Sequence, residues 1–348
     1  MVDIFFIHDC RSITSYHWNH QMNSQPNEKN KPLGTQTSAQ VAGEVAGEIS
    51  SENDAATTRV PFTLRSLLKM VRSGEKFACL TCYDATTARW LQTAGLHVLL
   101  VGDTAGEVIL GLPNTMHTPL DFLIALTAGV KRGAPATLVM ADMPFMSYQA
   151  DDAEAIRNAG RFMTEGLADL VKIEVDRSFA GLVAKMSRAG IPVVAHIGSR
   201  PQHVKMHGGY YAAGKSAESA IALLDDARAM IEAGAMMLLI EAAPSEVAEQ
   251  IVRESTVPVI GCGAGSSCHG QVVVLQDLLG MSTWQPAFAL PTAQLGGQIM
   301  AAAKIWMDRV KSGQLGEHPY VMNDAQRASF GETLKHRNTA IPRVEPKQ

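Results

Sequence analysis

No uninterrupted apolar run in this 348-residue sequence reaches the roughly 18 residues that a membrane span requires. The N-terminus has no basic segment leading into an apolar stretch, so no secretion signal is expected. Basic residues are not in excess. Lys and Arg number 30 against 34 Asp and Glu, a net charge of -4, and no basic stripe interleaves with aromatics. A nucleic-acid partner is therefore not expected. Cysteine is scarce, odd in number and irregularly spaced, at Cys10, Cys79, Cys82, Cys262 and Cys268, which speaks against a disulfide framework. Cys79 and Cys82 sit inside an apolar strand pattern, where buried thiols are expected rather than a redox or zinc pair. These absences leave a cytoplasmic globule that meets neither nucleic acid nor membrane.

What the sequence does have is a repeated design. Leu99–Leu100–Val101 runs into Gly102–Asp103–Thr104, Thr137–Leu138–Val139–Met140–Ala141 into Asp142, and Leu170–Val171–Lys172–Ile173 into Glu174. Pro192–Val193–Val194–Ala195 then runs into His196 and Met236–Met237–Leu238–Leu239–Ile240 into Glu241. Short apolar runs of this kind read as buried strands. Between them lie helical patterns closed by Gly95, Gly190 and Gly234, or opened by Thr118–Pro119. Seven such βα units follow one another between about Phe77 and Gly261. That alternation implies a parallel sheet, and its density favours a closed (β/α)8 TIM barrel over an open sheet. The eighth strand has no clear sequence signal.

The ends differ from this body. Residues 1–58 are polar, with too little apolar surface to offset the entropy of ordering, and are expected to be a disordered extension. The barrel is expected over 59–322, including a long helical pattern at Gln294–Lys311 suited to packing between copies. A polar tail, 323–348, follows. Gly198–Gly214, with His203, His207, Tyr210 and Tyr211, reads as a functional loop or lid.

Ionisable residues at the ends of parallel strands point to one site on one face of the barrel. Taken singly, Asp103, Asp142 or Glu174 reads as a loop cap. Three in successive units can converge, because neighbouring strands lie about 4.8 Å apart, and oxygen donors with room for water suit Mg²⁺. Lys172 shares a strand face with Glu174. It either enters the site beside an anionic substrate or lies along the outer face. His196 is a structural histidine or a hydrogen-bond donor to that substrate. Glu241, at the mouth of an apolar barrel, suits proton transfer. Gly261–Cys262–Gly263–Ala264–Gly265 is a weak anion-loop signal and opens no Rossmann unit.

With these residues assembled, the sequence resembles the ketopantoate hydroxymethyltransferase (3-methyl-2-oxobutanoate hydroxymethyltransferase) family from about Arg65 to His318. The carrying motifs are Leu80–Thr81–Cys82–Tyr83–Asp84, Val101–Gly102–Asp103–Thr104–Ala105–Gly106 and Ala141–Asp142–Met143–Pro144–Phe145–Met146–Ser147–Tyr148. Val171–Lys172–Ile173–Glu174, His196–Ile197–Gly198, Pro201–Gln202 and Gly263–Ala264–Gly265 complete them. The resemblance implies a barrel of the phosphoenolpyruvate mutase/isocitrate lyase type. It implies Mg²⁺ at Asp103, Asp142 and Glu174, a 2-oxo acid touched by Asp103, Thr104, Asp142 and Lys172, and Glu241 as proton acceptor. The bet from the mechanism adds His196 to the groups facing that acid. The implied reaction moves a one-carbon unit from 5,10-methylenetetrahydrofolate to 3-methyl-2-oxobutanoate, in a cytoplasmic homo-oligomer that is often a decamer.

Some positions depart from the family pattern. Thr104 stands for a Ser, Glu107 for an apolar residue, Val175–Asp176–Arg177 follow Glu174 where glycines are usual, His269 stands for an Asp and Gln276 for a His. Two other readings are open at this point. One is a lyase or mutase acting on another 2-oxo acid on the same barrel; the other is a binding protein that keeps the barrel without catalysis.

Overall fold

The computed structural model of the chain describes residues 60–337. The expected N-terminal extension lies outside the described residues, as does the tail beyond 337. Eight parallel strands close into a barrel in sequence order: β1 (Phe77–Thr81), β2 (Val98–Val101), β3 (Leu138–Asp142), β4 (Leu170–Glu174), β5 (Val193–Gly198), β6 (Met237–Glu241), β7 (Val259–Cys262) and β8 (Gly270–Val273). Helices alternate with them: α1 (Leu64–Arg72) precedes β1, and α2 (Ala85–Thr93), α3 (Leu120–Gly133), α4 (Asp152–Thr164), α5 (Ala180–Arg188), α6 (Ala217–Glu232) and α7 (Ser245–Glu254) follow in turn. Two more, α8 (Leu295–Ser312) and α9 (Asp324–Arg337), come after β8, so part of the expected polar tail is helical.

Local chemistry explains where these helices start. Asp84 Oδ1 accepts from the N–H groups of Thr86 and Thr87 at 2.8 and 2.9 Å. Asp151 caps α4 through Glu154 N at 2.8 Å, and Ser216 and Ser219 form a reciprocal capping box on α6. Each such cap stabilises a helix by about 1 kcal/mol. α4 stops at Thr164, and Leu167, with a left-handed φ of 58°, marks where helical pairing cannot continue.

The strands alternate between two cores. Phe77, Cys79, Val98, Leu100, Leu138, Met140, Leu170, Val194, Met237, Leu239, Ile260 and Val272 pack together, and the residues between them join the larger core shared with the helices. Period-two alternation therefore sends Leu170, Lys172 and Glu174 to one side of β4, and Met237, Leu239 and Glu241 to one side of β6. The lower layers are apolar, and the layer at the C-terminal ends is polar.

β8 is the strand without a sequence signal. It has four residues and opens with Gly270 and an exposed Gln271. Its pairing with β1 (Phe77↔Gly270) and β7 (Ile260↔Gly270) closes the barrel. A Cβ at position 270 would lie 2.3 Å from the Phe77 ring, so the packing that needs glycine here is also what hides the strand.

Candidate active site

Asp142 and Glu174 are the last residues of β3 and β4, and Glu241 is the last of β6. β2 ends at Val101, so Asp103 stands in the turn that follows, and Thr104 starts a helical turn at Ala105–Val108. β5 runs two residues past His196, to Gly198. The register sets Asp142 against Lys172, Glu174 against His196, and Glu241 against Gly198 and Cys262. Asp103, Asp142, Lys172, Glu174 and His196 are all buried, none more than 5% exposed, while Glu241 is partly open at the mouth.

These side chains touch in a chain across the barrel. Lys172 Nζ lies 3.0 Å from Asp142 Oδ1, an ion pair without hydrogen-bond alignment, and 3.2 Å from His196 Nδ1. An ammonium only donates, so Nδ1 accepts and the imidazole proton sits on Nε2. His196 Nε2 in turn lies 3.3 Å from Glu241 Oε2, close but not aligned for a hydrogen bond. Burial, then the charge on Lys172, lowers the His196 pKa, which keeps the ring neutral. Burial alone would lower Lys172, but Asp142, Asp103 and Glu174 hold its ammonium above the ordinary value.

The acids outnumber their counter-charge. Burial, then Asp142, pushes the Asp103 carboxyl up to about 7. Burial, then Asp103, raises Glu174 well above the usual carboxylate range. Each acid already has one oxygen fixed by the chain. Asp103 Oδ2 accepts from Gln202 Nε2 at 2.9 Å, Asp142 Oδ2 from Asp103 N at 3.1 Å, and Glu174 Oε2 from Gln202 N at 3.0 Å. Asp142 Oδ1 is buried with the Lys172 ammonium, 3.0 Å away, as its neighbour. A buried, acid-rich, all-oxygen donor set of this kind fits a hard dication. Among the described residues no three His, Cys, Asp or Glu side chains form a ready-made ligand cluster.

The Glu241 position is held by backbone. Ser199 N donates to the Glu241 carbonyl at 2.9 Å, and Ala242 N donates to the Cys262 carbonyl at 2.9 Å. A Cβ on Gly198, at φ 98°, would lie 2.5 Å from that same Glu241 carbonyl oxygen, so only glycine permits the approach. Ala242, at φ 47°, takes a conformation that costs an alanine about 1 kcal/mol or more.

Several residues of the site had no role assigned from sequence. Gln202 joins two acids, and Tyr148 Oη lies 2.9 Å from Gln202 Oε1 and accepts from Glu174 N at 3.0 Å. Tyr83 Oη is 2.6 Å from Thr104 Oγ1, and Thr118 Oγ1 donates to the Asp103 carbonyl at 2.7 Å. Both Gln202 and Tyr148 stood within the quoted motifs, which was the available signal. The expected lid forms a 3-10 turn, Pro201–His203, and a helical turn, Val204–His207. Its Tyr210 reaches Glu107 across the mouth at 3.5 Å. A cavity of about 410 Å³ beside the lid is lined by Asp176, Arg200 and Tyr211 but by none of the expected site residues.

Two of the departures lie away from this chemistry. Asp176 pairs with Arg200 at 2.6 Å, and Arg177 pairs with Asp226 of α6 at 2.9 Å, on the outside of the barrel. His269 is at the opposite end, where its Nδ1 accepts from Val259 N at 3.0 Å and its carbonyl accepts from Phe77 N.

Comparison with known proteins agrees with the motifs. The family model of ketopantoate hydroxymethyltransferase matches residues 61–318. The 3-methyl-2-oxobutanoate hydroxymethyltransferase of Methylococcus capsulatus is 42% identical over 73% of this chain and 94% of its own. That of Mycolicibacterium paratuberculosis is 46% identical over 71% of this chain and 87% of its own. Among solved structures, the phosphoenolpyruvate phosphomutase of Streptomyces platensis subsp. rosaceus superposes with a TM-score of 0.50 at 14% identity, covering 79% of this chain and 96% of that one. This last likeness concerns the barrel alone.

Proposed function

The chain belongs to the ketopantoate hydroxymethyltransferase family, and from that premise we propose how its barrel mouth carries out the reaction. The function is transfer of a hydroxymethyl group to 3-methyl-2-oxobutanoate, giving 2-dehydropantoate in pantothenate biosynthesis. The one-carbon donor in this reading is 5,10-methylenetetrahydrofolate. The observation that carries the reading is the linked set of Lys172, His196 and Glu241 beside three buried acids.

Asp103, Asp142 and Glu174 are the residues that would hold Mg²⁺, which when bound supplies Lewis acidity toward the carboxylate and keto oxygens of the substrate. Asp103, Thr104, Asp142, Lys172 and His196 face the 2-oxo acid. The Lys172 ammonium stays charged in its acid-rich surroundings, so it offsets the negative charge that grows on the keto oxygen as C3 is deprotonated. Glu241 takes the C3 proton. The electron pair left on C3 forms the new bond to the methylene carbon of the donor, whose two C–N bonds break with their electron pairs staying on nitrogen. One water supplies the hydroxyl oxygen, and the C3 proton and a proton of that water end on the two nitrogens of tetrahydrofolate. Nε2–H of His196 stands 3.3 Å from the Glu241 carboxylate and gives it a polar neighbour.

We also read the protein as a homo-oligomer located in the cytoplasm. α8 has no buried residue, which suits a helix covered by another copy. The four cysteines among the described residues are all free thiols, which suits a reducing compartment.

The test is turnover of 3-methyl-2-oxobutanoate with and without methylenetetrahydrofolate, in Mg²⁺ and in EDTA, with Glu241→Gln alongside. The expected result is 2-dehydropantoate formation that needs both metal and folate and is lost in the variant. Formation that ignores EDTA or folate overturns the corresponding part of the reading.

A further inference from the structure

We propose that Gln202 is a positioning residue that sets Asp103 and Glu174 for the cation, by bonding both acids at once from a turn on the far side of the chain. This rests on the reading of Asp103, Asp142 and Glu174 as the residues that hold Mg²⁺. The bonds are long-range: Gln202 reaches Asp103 with its side chain and Glu174 with its backbone N–H, at 2.9 and 3.0 Å.

The amide is used in full. Nε2 donates to Asp103 Oδ2 and to the Met143 carbonyl at 2.9 and 3.0 Å. Oε1 accepts from Tyr148 Oη and Gln149 Nε2, both at 2.9 Å. Two acceptors on one side and two donors on the other fix which end of the amide is nitrogen. All four hydrogen-bonding positions of a buried glutamine are thereby satisfied, which is what burying it requires.

The chemistry calls for a neutral group at this point. A Lys or Arg here would neutralise the acids and compete with the cation, and a Glu would add another buried negative charge beside them. An amide supplies two N–H donors and no charge. It fixes one oxygen of Asp103, while the backbone of the same residue fixes one oxygen of Glu174. The other oxygen of each carboxylate is left for a cation or its waters. Tyr148 extends the clamp, because its hydroxyl accepts from the backbone N–H of Glu174 and donates to Gln202 Oε1. The entropy of orienting two carboxylates is spent on folding, before any metal binds.

The experiment is calorimetric titration of Mg²⁺ alone into the chelator-treated full-length protein. Gln202→Met keeps the size of the side chain and removes its hydrogen bonds. The expected result is weakening of Mg²⁺ binding by roughly 10- to 100-fold, the usual effect of removing an outer-shell partner. Turnover of that variant should recover most of its kcat at saturating Mg²⁺, so the defect falls on the metal requirement. Tyr148→Phe should weaken Mg²⁺ binding less. The double variant should lose less than the product of the two, because both act through one network. A folded Gln202→Met protein that binds Mg²⁺ within twofold of the native protein overturns the proposal. Should Gln202→Met fail to fold, native Mg²⁺ affinity in Tyr148→Phe overturns it instead. If the native protein takes up no Mg²⁺ in the same titration, the metal reading itself fails, and that outcome is visible before any variant is made.

Discussion

His196 Nε2 lies 3.3 Å from Glu241 Oε2, on the side of the ring turned away from Lys172. The neutral imidazole thus stands between Lys172 and Glu241, the two groups that the proposed mechanism uses to balance charge and to take the proton. Glu241→Gln preserves size and polarity but cannot accept a proton. The expected loss in kcat is about 10²- to 10⁴-fold, the range for removing a positioned general base, with 2-oxo acid binding nearly unchanged. Exchange of the C3 proton into deuterated water, followed without the folate donor, isolates this step. Exchange at the native rate in Glu241→Gln would move the base elsewhere.

Gly198 shares that machinery through backbone. A methyl group at position 198 would press on the Glu241 carbonyl at 2.5 Å, from a residue already at φ 98°. Gly198→Ala is expected to displace the end of β6 and to cost about 1–3 kcal/mol of stability as an overpacked site. Its kcat should fall further than its folded fraction does. Parallel thermal melts and rate measurements separate the two effects, and an unchanged kcat in the folded fraction would show that the base tolerates the shift.

The parts of this molecule that could be read from sequence are those set by neighbours in the chain. Leu170, Lys172 and Glu174 fall on one side of β4 because side chains alternate along any strand. Asp84 and Ser216 cap helices through N–H groups two or three residues away. What could not be read depends on distant partners. β8 is short and starts with Gly270 because the Phe77 ring occupies the space of a side chain, and nothing near Gly270 in sequence announces that ring. The two bonds of Gln202 to acids join residues 99 and 28 positions apart. Distance misleads in the other direction as well. His269 follows the glycine-rich segment after β7, yet the chain has by then returned to the N-terminal end of the barrel, away from the acids.

That placement gives His269 a pH signature. Burial, then Lys76, lowers its pKa, and Nδ1 is engaged as an acceptor from Val259 N. The unfolded chain takes up a proton on this residue near pH 6.5, whereas the folded protein resists until a lower pH. Between those two values the unfolded state binds more protons, so stability falls as pH drops below about 6.5 and is fully present above it. His269→Asn keeps an acceptor in place and removes the titration. The difference in urea midpoint between pH 7.5 and pH 5.5 should be smaller in the variant than in the native protein. Equal differences would mean that His269 does not contribute to the acid sensitivity.

α8 tests the assembly. Ile299, Trp306 and Val310 recur along the helix at spacings of seven and four, and each is at least 50% exposed. On the barrel, Ala78 of β1 and Gln271 of β8 are exposed, while every residue of β3 and β4 is buried. A parallel strand with an open outer face is unusual, because crossover helices normally cover it. An uncovered helix with an apolar stripe and an uncovered pair of strands are complementary deficits that contact between copies can remove together. Ile299→Glu with Trp306→Glu puts two charges on that stripe without touching the acids, the lysine or the base. Sedimentation velocity should show the native protein as a larger species and the double variant as a smaller one, with each subunit still folded by circular dichroism. A native protein that sediments as a monomer, or a double variant that keeps the native size, would take α8 out of the interface.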